Sequence, residues 1–289
     1  MRDGRWLIGW GMATATYPMN YAPATAMVRL LPGGTAEVTS ASSDMGPGTW
    51  TSMTQVAAET LGLPIERVKF TLGDTRLPRA PVHGGSMTMA SVGNAVQAAC
   101  ETVRAKLLTD ARNGESYGEI LRSQGRDRIE ATAEAKPGDE GERFSSYGFG
   151  AVFVEVHVDP DLGTIRVPRM IGAYDAGRVV NPKIARSQCL GGMVGGLGMA
   201  LLEQAEWDPR FGRVMNANLA EYLVPVNADV TELEALFVPG DDRRFNPLGV
   251  KGLAEIALCG VAPAIANAVY HATGKRIRDL PITVAKLLV

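Results

Sequence analysis

One carboxylate has an unusual setting. Glu255 sits in the run Gly252-Leu253-Ala254-Glu255-Ile256-Ala257-Leu258, with no other polar side chain beside it. A carboxylate inside an apolar run is desolvated, and desolvation makes it usable as a general base near neutral pH. The plainer alternative is a solvent-facing or helix-start Glu. Two glycine-bearing loops could hold an anion or a polar ring. Gly46-Pro47-Gly48 and Gly84-Gly85-Ser86-Met87-Thr88 each precede a helical pattern. Free backbone N–H groups and the positive end of the helix dipole collect at such places. The second loop adds the hydroxyls of Ser86 and Thr88. Taken singly, each loop is also an ordinary turn.

The run Gly191-Gly192-Met193-Val194-Gly195-Gly196-Leu197-Gly198 has glycines spaced like a dinucleotide fingerprint. It lies inside a helical pattern after Pro182, whereas that fingerprint follows a strand and opens a helix. Close helix packing accounts for it, on a face that a ligand could also approach. Cys100, Cys189 and Cys259 show no CxxC spacing, and His83, His157 and His271 show no metal spacing. No metal ligand is assigned to this chain, and the cysteines read as small buried hydrophobes. There is no Gly-x-Ser-x-Gly elbow, P-loop or HExxH, which argues against simple hydrolases, NTPases and zincins.

The elements that must position these residues follow from patterning. A hairpin is expected over 25–40 around Pro32-Gly33-Gly34, then a helix over Thr49–Leu61 closed by Gly62, and a strand at Val68–Leu72. A second helix is expected over Ser91–Asp110. Residues 111–148 are polar and charged and read as a linker. The second half echoes the first, with strands at Val152–Val158 and Thr164–Met170, a helix over Ile184–Glu203, a Gly-rich turn at Leu248–Glu255, a helix over Pro263–Thr273 and an extended tail. The pattern predicts an α+β fold of two similar lobes, each a mixed β-sheet with packed helices. The lobes are drawn at 1–110 and 149–289, with 111–148 between them.

Composition bounds the rest. The 289 residues carry a net charge of −2, so there is no electrostatic footprint for nucleic acid or an anionic membrane. The longest apolar stretches, Cys189–Leu202 and Ile256–Val269, fall short of the roughly 20 residues a membrane span needs. Glycine is in surplus, at 33 residues, or about 11% against an average near 7%. Either the chain is full of tight turns, or its backbone approaches a ligand closely. Residues and spacing alone stop at a Gly-rich α+β protein with a ligand-binding cleft.

Several stretches together resemble one family. Gly249-Val250-Lys251-Gly252-Leu253-Ala254-Glu255, then Gly260–Val269 and Arg276–Thr283, resemble the C-terminal end of the molybdenum-binding subunit of the xanthine dehydrogenase/aldehyde oxidase family. Asp44-Met45-Gly46-Pro47-Gly48-Thr49 is similar to that family's MGQG-type loop. Gly84–Val96 is similar to its pterin loop, and Asp175-Ala176-Gly177-Arg178-Val179-Val180-Asn181-Pro182 with Gln188 to its D-x-G…N-P…Q segment. The resemblance runs along almost the whole chain in the family's order.

It implies a molybdenum cofactor-binding domain holding molybdopterin in the cytosine dinucleotide form, with the metal on the pterin's dithiolene sulfurs. By position it makes Glu255 the catalytic base at a molybdenum-bound hydroxyl. Gln188 becomes a pterin ligand, Gly46, Pro47, Gly48, Ser86 and Thr88 become parts of the cofactor-holding loops, and Gly85 borders the active site. The implied reaction hydroxylates an aldehyde or N-heterocycle with water as oxygen source. Electrons would leave through 2Fe–2S clusters and FAD on partner subunits or domains.

Two departures stand out: Pro47 replaces the loop's usual Gln, and Ala254 replaces the Gly of GxGE. The chain opens on a strand-like run and is less than half the length of such subunits. It is therefore expected to be a piece of a longer chain or a split subunit, partnered by an N-terminal half. The alternative to a working hydroxylase is a cofactor-holding domain that is inert in isolation. The expected location is the cytoplasm, or the periplasm on a partner's export signal.

Overall fold

The computed structural model describes residues 1–108 and 115–288. Thr109 and Asp110, at the end of the expected second helix, and residues 111–114 of the expected linker lie outside the described residues.

The chain opens with β1 (Arg2–Asp3) and the long β2 (Trp6–Pro18). β3 (Ala24–Leu30) and β4 (Ala36–Thr39) form the expected hairpin. α1 (Thr49–Leu61) lies where its caps predict, with Gly48 and Gly62 both left-handed. β5 (Val68–Thr71) follows, then a π-helical turn at Met89–Gly93 leading into α2 (Asn94–Leu108). The stretch read as a linker is largely ordered: α3 (Tyr117–Ser123), β6 (Ile129–Ala135) and the single turn α4 (Glu140–Arg143). Next come β7 (Tyr147–Val158), β8 (Ile165–Asp175) and α5 (Pro182–Leu201). A small hairpin of β9 (Trp207–Asp208) and β10 (Arg213–Val214) precedes β11 (Glu232–Val238). α6 (Ile256–Cys259), α7 (Val261–Thr273) and α8 (Val284–Leu288) close the chain.

Two sheets organise the molecule, β5-β4-β3-β6 and β1-β2-β7-β8-β11. Each is buried on one face by helices, as an α+β fold requires. In the first, Ala24, Ala26, Val28 and Leu30 alternate inward from β3 against Val96, Ala99 and Val103 of α2. In the second, Val152, Val154 and Val156 of β7 face Ala264, Ile265 and Ala268 of α7. This alternation is the period-two signature of a strand with one buried face.

The lobe boundaries differ from those the sequence predicts. β2 falls within 1–110, yet it pairs along its length with β7 in the second sheet, from Leu7 opposite Val158 to Pro18 opposite Tyr147. β6 falls within 111–148, yet it pairs with β3 and completes the first sheet. Ile120 and Leu121 of α3 are buried in the first core. The misreading has a physical reason. Glu130, Thr132 and Glu134 alternate with small residues on an edge strand, so the segment looks polar overall while only Ala131 is deeply buried.

α7 lies directly on β2. A Cβ on Gly9 would come within 2.0 Å of the Ala268 carbonyl oxygen, and one on Gly11 within 2.2 Å of that of Ala264. The helix also closes the strand's open edge. His271 Nδ1 accepts from the Trp10 N–H at 2.9 Å, and Asn267 donates to the Met12 carbonyl at 2.9 Å. His271 therefore has a structural role. The apolar stretch Ile256–Thr273 reaches 18 residues at a mean hydropathy of 1.3. It is broken between α6 and α7 at Gly260, and its buried half packs on β2 and β7.

Candidate active site

Loops from both lobes meet at a cleft of about 400 Å³. The first lobe contributes the loop before α1 (Met45, Gly46, Pro47) and the loop before the π turn (Gly84, Ser86, Thr88). The second contributes Arg178–Asn181, the start of α5 with Gln188, and the turn from Val250 to Glu255. Glu255, Gly46, Pro47, Ser86, Thr88 and Gln188 thus share one wall system, although they are scattered over more than 200 positions of sequence. Gly48 and Gly85 belong to the same loops but do not line the cavity. A Cβ on Gly48 would lie 2.3 Å from Ile184 Cδ1, so Gly48 seats the loop against α5. Gly85 accepts a hydrogen bond from Asn20 through its carbonyl, at 2.9 Å.

The loop before α1 is not the free cradle its glycines predict. Asp44 Oδ1 accepts from Gly46 N–H at 2.9 Å and Gly48 N–H at 3.2 Å, and Oδ2 accepts from Trp50 N–H at 3.3 Å. The chain's own carboxylate fills the helix N-terminus, and those donors are used. The loop serves the cleft as a wall.

The Ser86 loop is different. Ser86 is the only non-glycine with positive φ among the described residues, at 54°. Its Oγ is buried without a partner, and so is Oε2 of Glu255. Buried polar atoms in folded proteins are nearly always paired, so two orphans on one cleft mark it as a place where a polar ligand group belongs. The two residues sit on loops in direct contact. A Cβ on Gly252 would lie 2.7 Å from Ser86 Cβ and 3.0 Å from the Ser86 carbonyl oxygen. Only glycine lets the Glu255 turn approach this closely.

Tyr17, at the end of β2, has its phenol pushed above the ordinary range by burial, with the Glu255 carboxylate and the Cys259 thiol adding to the effect. His83 also lines the cleft, donating from Nδ1 to the Ser43 carbonyl at 2.8 Å. Asn181 caps α5, accepting from Ile184 N–H at 3.1 Å, and donates to Gln55 of α1 at 2.9 Å. The glycine run of α5 divides. Cβ atoms on Gly192 and Gly196 would lie 2.8 Å from Ala257 and 2.4 Å from Val261, which is helix packing, whereas Gly191 faces open space.

Sequence reasoning missed Lys251. It lines the cleft and pairs with Asp175 at 2.7 Å and Asp242 at 3.2 Å. No local pattern signals it, because one partner lies 76 positions away.

Residues 1–231 match the family model described as the molybdopterin cofactor-binding domain. The chain is 38% identical, over its whole length and 41% of the relative's, to the aldehyde oxidoreductase molybdenum-binding subunit PaoC of Escherichia coli O157:H7. It is 31% identical, over 99% of its length and 32% of the relative's, to the probable hypoxanthine oxidase XdhD of E. coli K12. Among solved structures, the aldehyde oxidoreductase of Desulfovibrio desulfuricans superposes with a TM-score of 0.85 at 25% identity, covering 99% of this chain and 32% of that one. A Cu,Mo-CO dehydrogenase superposes at 0.87 and 21% identity, over 98% of this chain and 41% of that one, and shares the fold. The chain therefore spans about two-fifths or less of these relatives' length.

Proposed function

The chain belongs to the molybdopterin cofactor-binding domain family, within the molybdenum-binding subunits of the xanthine dehydrogenase/aldehyde oxidase type, and from that premise we propose that its cleft holds molybdopterin, in the cytosine dinucleotide form, as one wall of a molybdenum hydroxylase site. The substrate class is an aldehyde or an N-heterocycle, oxidised at an electron-poor carbon with water as the oxygen source.

One observation carries the reading: the unpartnered buried oxygens of Ser86 and Glu255 lie on two loops in contact at a single cleft. The residues fit the group. Among the described residues no cluster of three His, Cys, Asp or Glu side chains could hold a metal ion. A donor set of hydroxyls, an amide and one carboxylate suits a large polar cofactor that carries its own metal ligands.

Bound there, the cofactor would supply two-electron redox chemistry, with iron–sulfur and FAD groups on partner subunits as the onward acceptors. The chain's residues do the rest. Ser86 and Thr88 offer hydroxyls, and Gln188 its amide, to the cofactor's polar edge. Gly46 and Pro47 line the same cleft, and Pro47 contributes no donor there. Glu255 acts as general base, taking at Oε2 the proton released as the oxygen becomes a nucleophile. Leu253 and Ala254 line the cleft beside it.

A second reading, a cofactor-holding domain without turnover of its own, is favoured by the coverage of 41% of the length of PaoC. One experiment separates and tests the two. The chain is produced in a cofactor-making host, alone and together with the remainder of such a subunit. Molybdenum, pterin and released cytidine monophosphate are then measured beside dye-reducing activity. The proposal expects metal and pterin in equal amounts, cytidine monophosphate on hydrolysis, and activity only in the assembled form. Metal and pterin without activity in the assembly would support the second reading. Absence of both from the assembly would overturn each.

A further inference from the structure

The segment that ends in Glu255 is tied to both lobes before it reaches the cleft. From the first lobe, Asn94 of α2 accepts from Leu248 N–H at 3.0 Å and donates to Asn246 Oδ1 at 3.0 Å. Asn246 then donates to the Val250 carbonyl at 2.8 Å. Both asparagines are buried, at 2% and 3% exposure. From the second lobe, the end of β8 pairs with the same segment through backbone. Arg178 N–H donates to the Gly249 carbonyl at 2.8 Å, Lys251 N–H to that of Ala176 at 2.9 Å, and Gly177 bridges Val250.

Lys251 is the last tie before the turn to Glu255. Its side chain is only 10% exposed, and its ammonium lies between Asp175 Oδ2 at 2.7 Å and Asp242 Oδ2 at 3.2 Å. Asp175 is fixed in turn, accepting from Gly177 N–H at 3.0 Å. Burial alone pushes such an ammonium down, but the two carboxylates outweigh it and hold Lys251 above the ordinary lysine range. Beyond Lys251 comes Gly252, in van der Waals contact with Ser86, and then three residues to Glu255. No hydrogen bond holds Oε2 of Glu255 itself. Its position is inherited from the backbone of the turn, which Cys259 Sγ holds from the α6 side by donating to the Glu255 carbonyl at 3.3 Å and which Lys251 holds from the side that enters the cleft.

We propose that Lys251, clamped by Asp175 and Asp242, is a positioning residue that sets the place of the Glu255 carboxylate in the cleft. The inference rests on Glu255 being the base, and it concerns the turn rather than the chemistry. A catalytic group displaced by an ångström loses much of its effect, so a rigid tie four residues away has leverage. Lys251→Arg keeps the charge and both partners, whereas Lys251→Met keeps length and removes the charge.

The test has two readouts. Hydrogen exchange by mass spectrometry on the full chain without cofactor reports the turn directly. Exchange of peptides within 248–258 is expected to rise at least about tenfold in Lys251→Met, to stay near wild type in Lys251→Arg, and to be unchanged elsewhere in the two lobes. In the assembled, molybdenum-loaded enzyme, Lys251→Met is expected to lower kcat about tenfold or more with KM little changed, and Lys251→Arg to restore most of it. Should Lys251→Met fail to fold by circular dichroism, Asp242→Asn removes one carboxylate only and is expected to show the same local exchange increase. Unchanged exchange over 248–258 in the folded Lys251→Met or Asp242→Asn chain overturns the proposal. The reading of Glu255 as base fails separately, if Glu255→Gln turns over normally. In that case the exchange result still decides whether Lys251 holds the turn.

Discussion

Ser86 and Glu255 each carry a buried polar atom without a partner, and both line the same cleft. Ser86 adds a left-handed backbone, which costs a non-glycine residue roughly 1 kcal/mol. That strain predicts an unusual mutational split. Ser86→Gly is expected to leave stability unchanged or raise it by up to about 1 kcal/mol in urea unfolding, because glycine adopts this φ freely. The same variant is expected to retain less molybdenum and pterin, because the hydroxyl is gone. A clear loss of stability would show that the hydroxyl serves the fold. Glu255 was legible from its apolar neighbours, and Ser86 and Thr88 from their place before a helix. The left-handed conformation of Ser86 was not, since no local pattern signals it and Gly252, which packs on it, lies 166 positions on.

At the scale of elements, the glycine surplus divides between fold and cleft. Gly9 and Gly11 let α7 lie on β2 with its carbonyls where side chains would be. Gly11→Val is expected to destabilise the chain by about 1–3 kcal/mol or more, as overpacking does. Gly33→Ala, with nothing within 4 Å of its new methyl, is expected to change stability by less than about 0.5 kcal/mol. Equal effects in thermal unfolding would contradict the packing argument.

The β7–β8 turn makes a pH prediction. Burial pushes the Asp159 carboxyl up, but the N–H groups of Leu162 and Asp161 and the Arg5 guanidinium outweigh it and hold it below the usual carboxylate range. A carboxylate with a depressed folded value stabilises above its unfolded value, near 3.9, and loses that contribution as pH falls through the folded one. Asp159→Asn is therefore expected to flatten the acid limb of a stability profile below about pH 4, and an unchanged limb would contradict the assignment. The hairpin β3–β4, α1, α7 and the Gly-rich turn before Glu255 were readable because caps, turn residues and apolar periodicity agreed locally. α3 and β6 were not. β6 is an edge strand with charges on its open face, and the capping box of Ser116 and Glu119 that starts α3 sits in a polar stretch that reads as loop.

At the scale of the molecule, two α+β lobes follow from the repeated hairpin, loop and helix pattern. The crossing of chains between them does not. β2 belongs to the second sheet although it begins the chain, because its partner β7 offers a long register with a buried face of Val152, Val154 and Val156. Likewise Leu248 and Val250 lie in the first core although the residues around them belong to the second lobe. These crossings carry Glu255 to the Ser86 loop, and long-range strand pairing leaves no local trace in sequence. The cleft that results is the basis of the functional account. The account is tested most directly by turnover of the assembled, cofactor-loaded enzyme carrying Glu255→Gln, measured beside its molybdenum content. It predicts full molybdenum retention with kcat lowered by about a hundredfold or more, the usual worth of a general base. Turnover within about twofold of wild type at full molybdenum content, far short of a general base's effect, would contradict it.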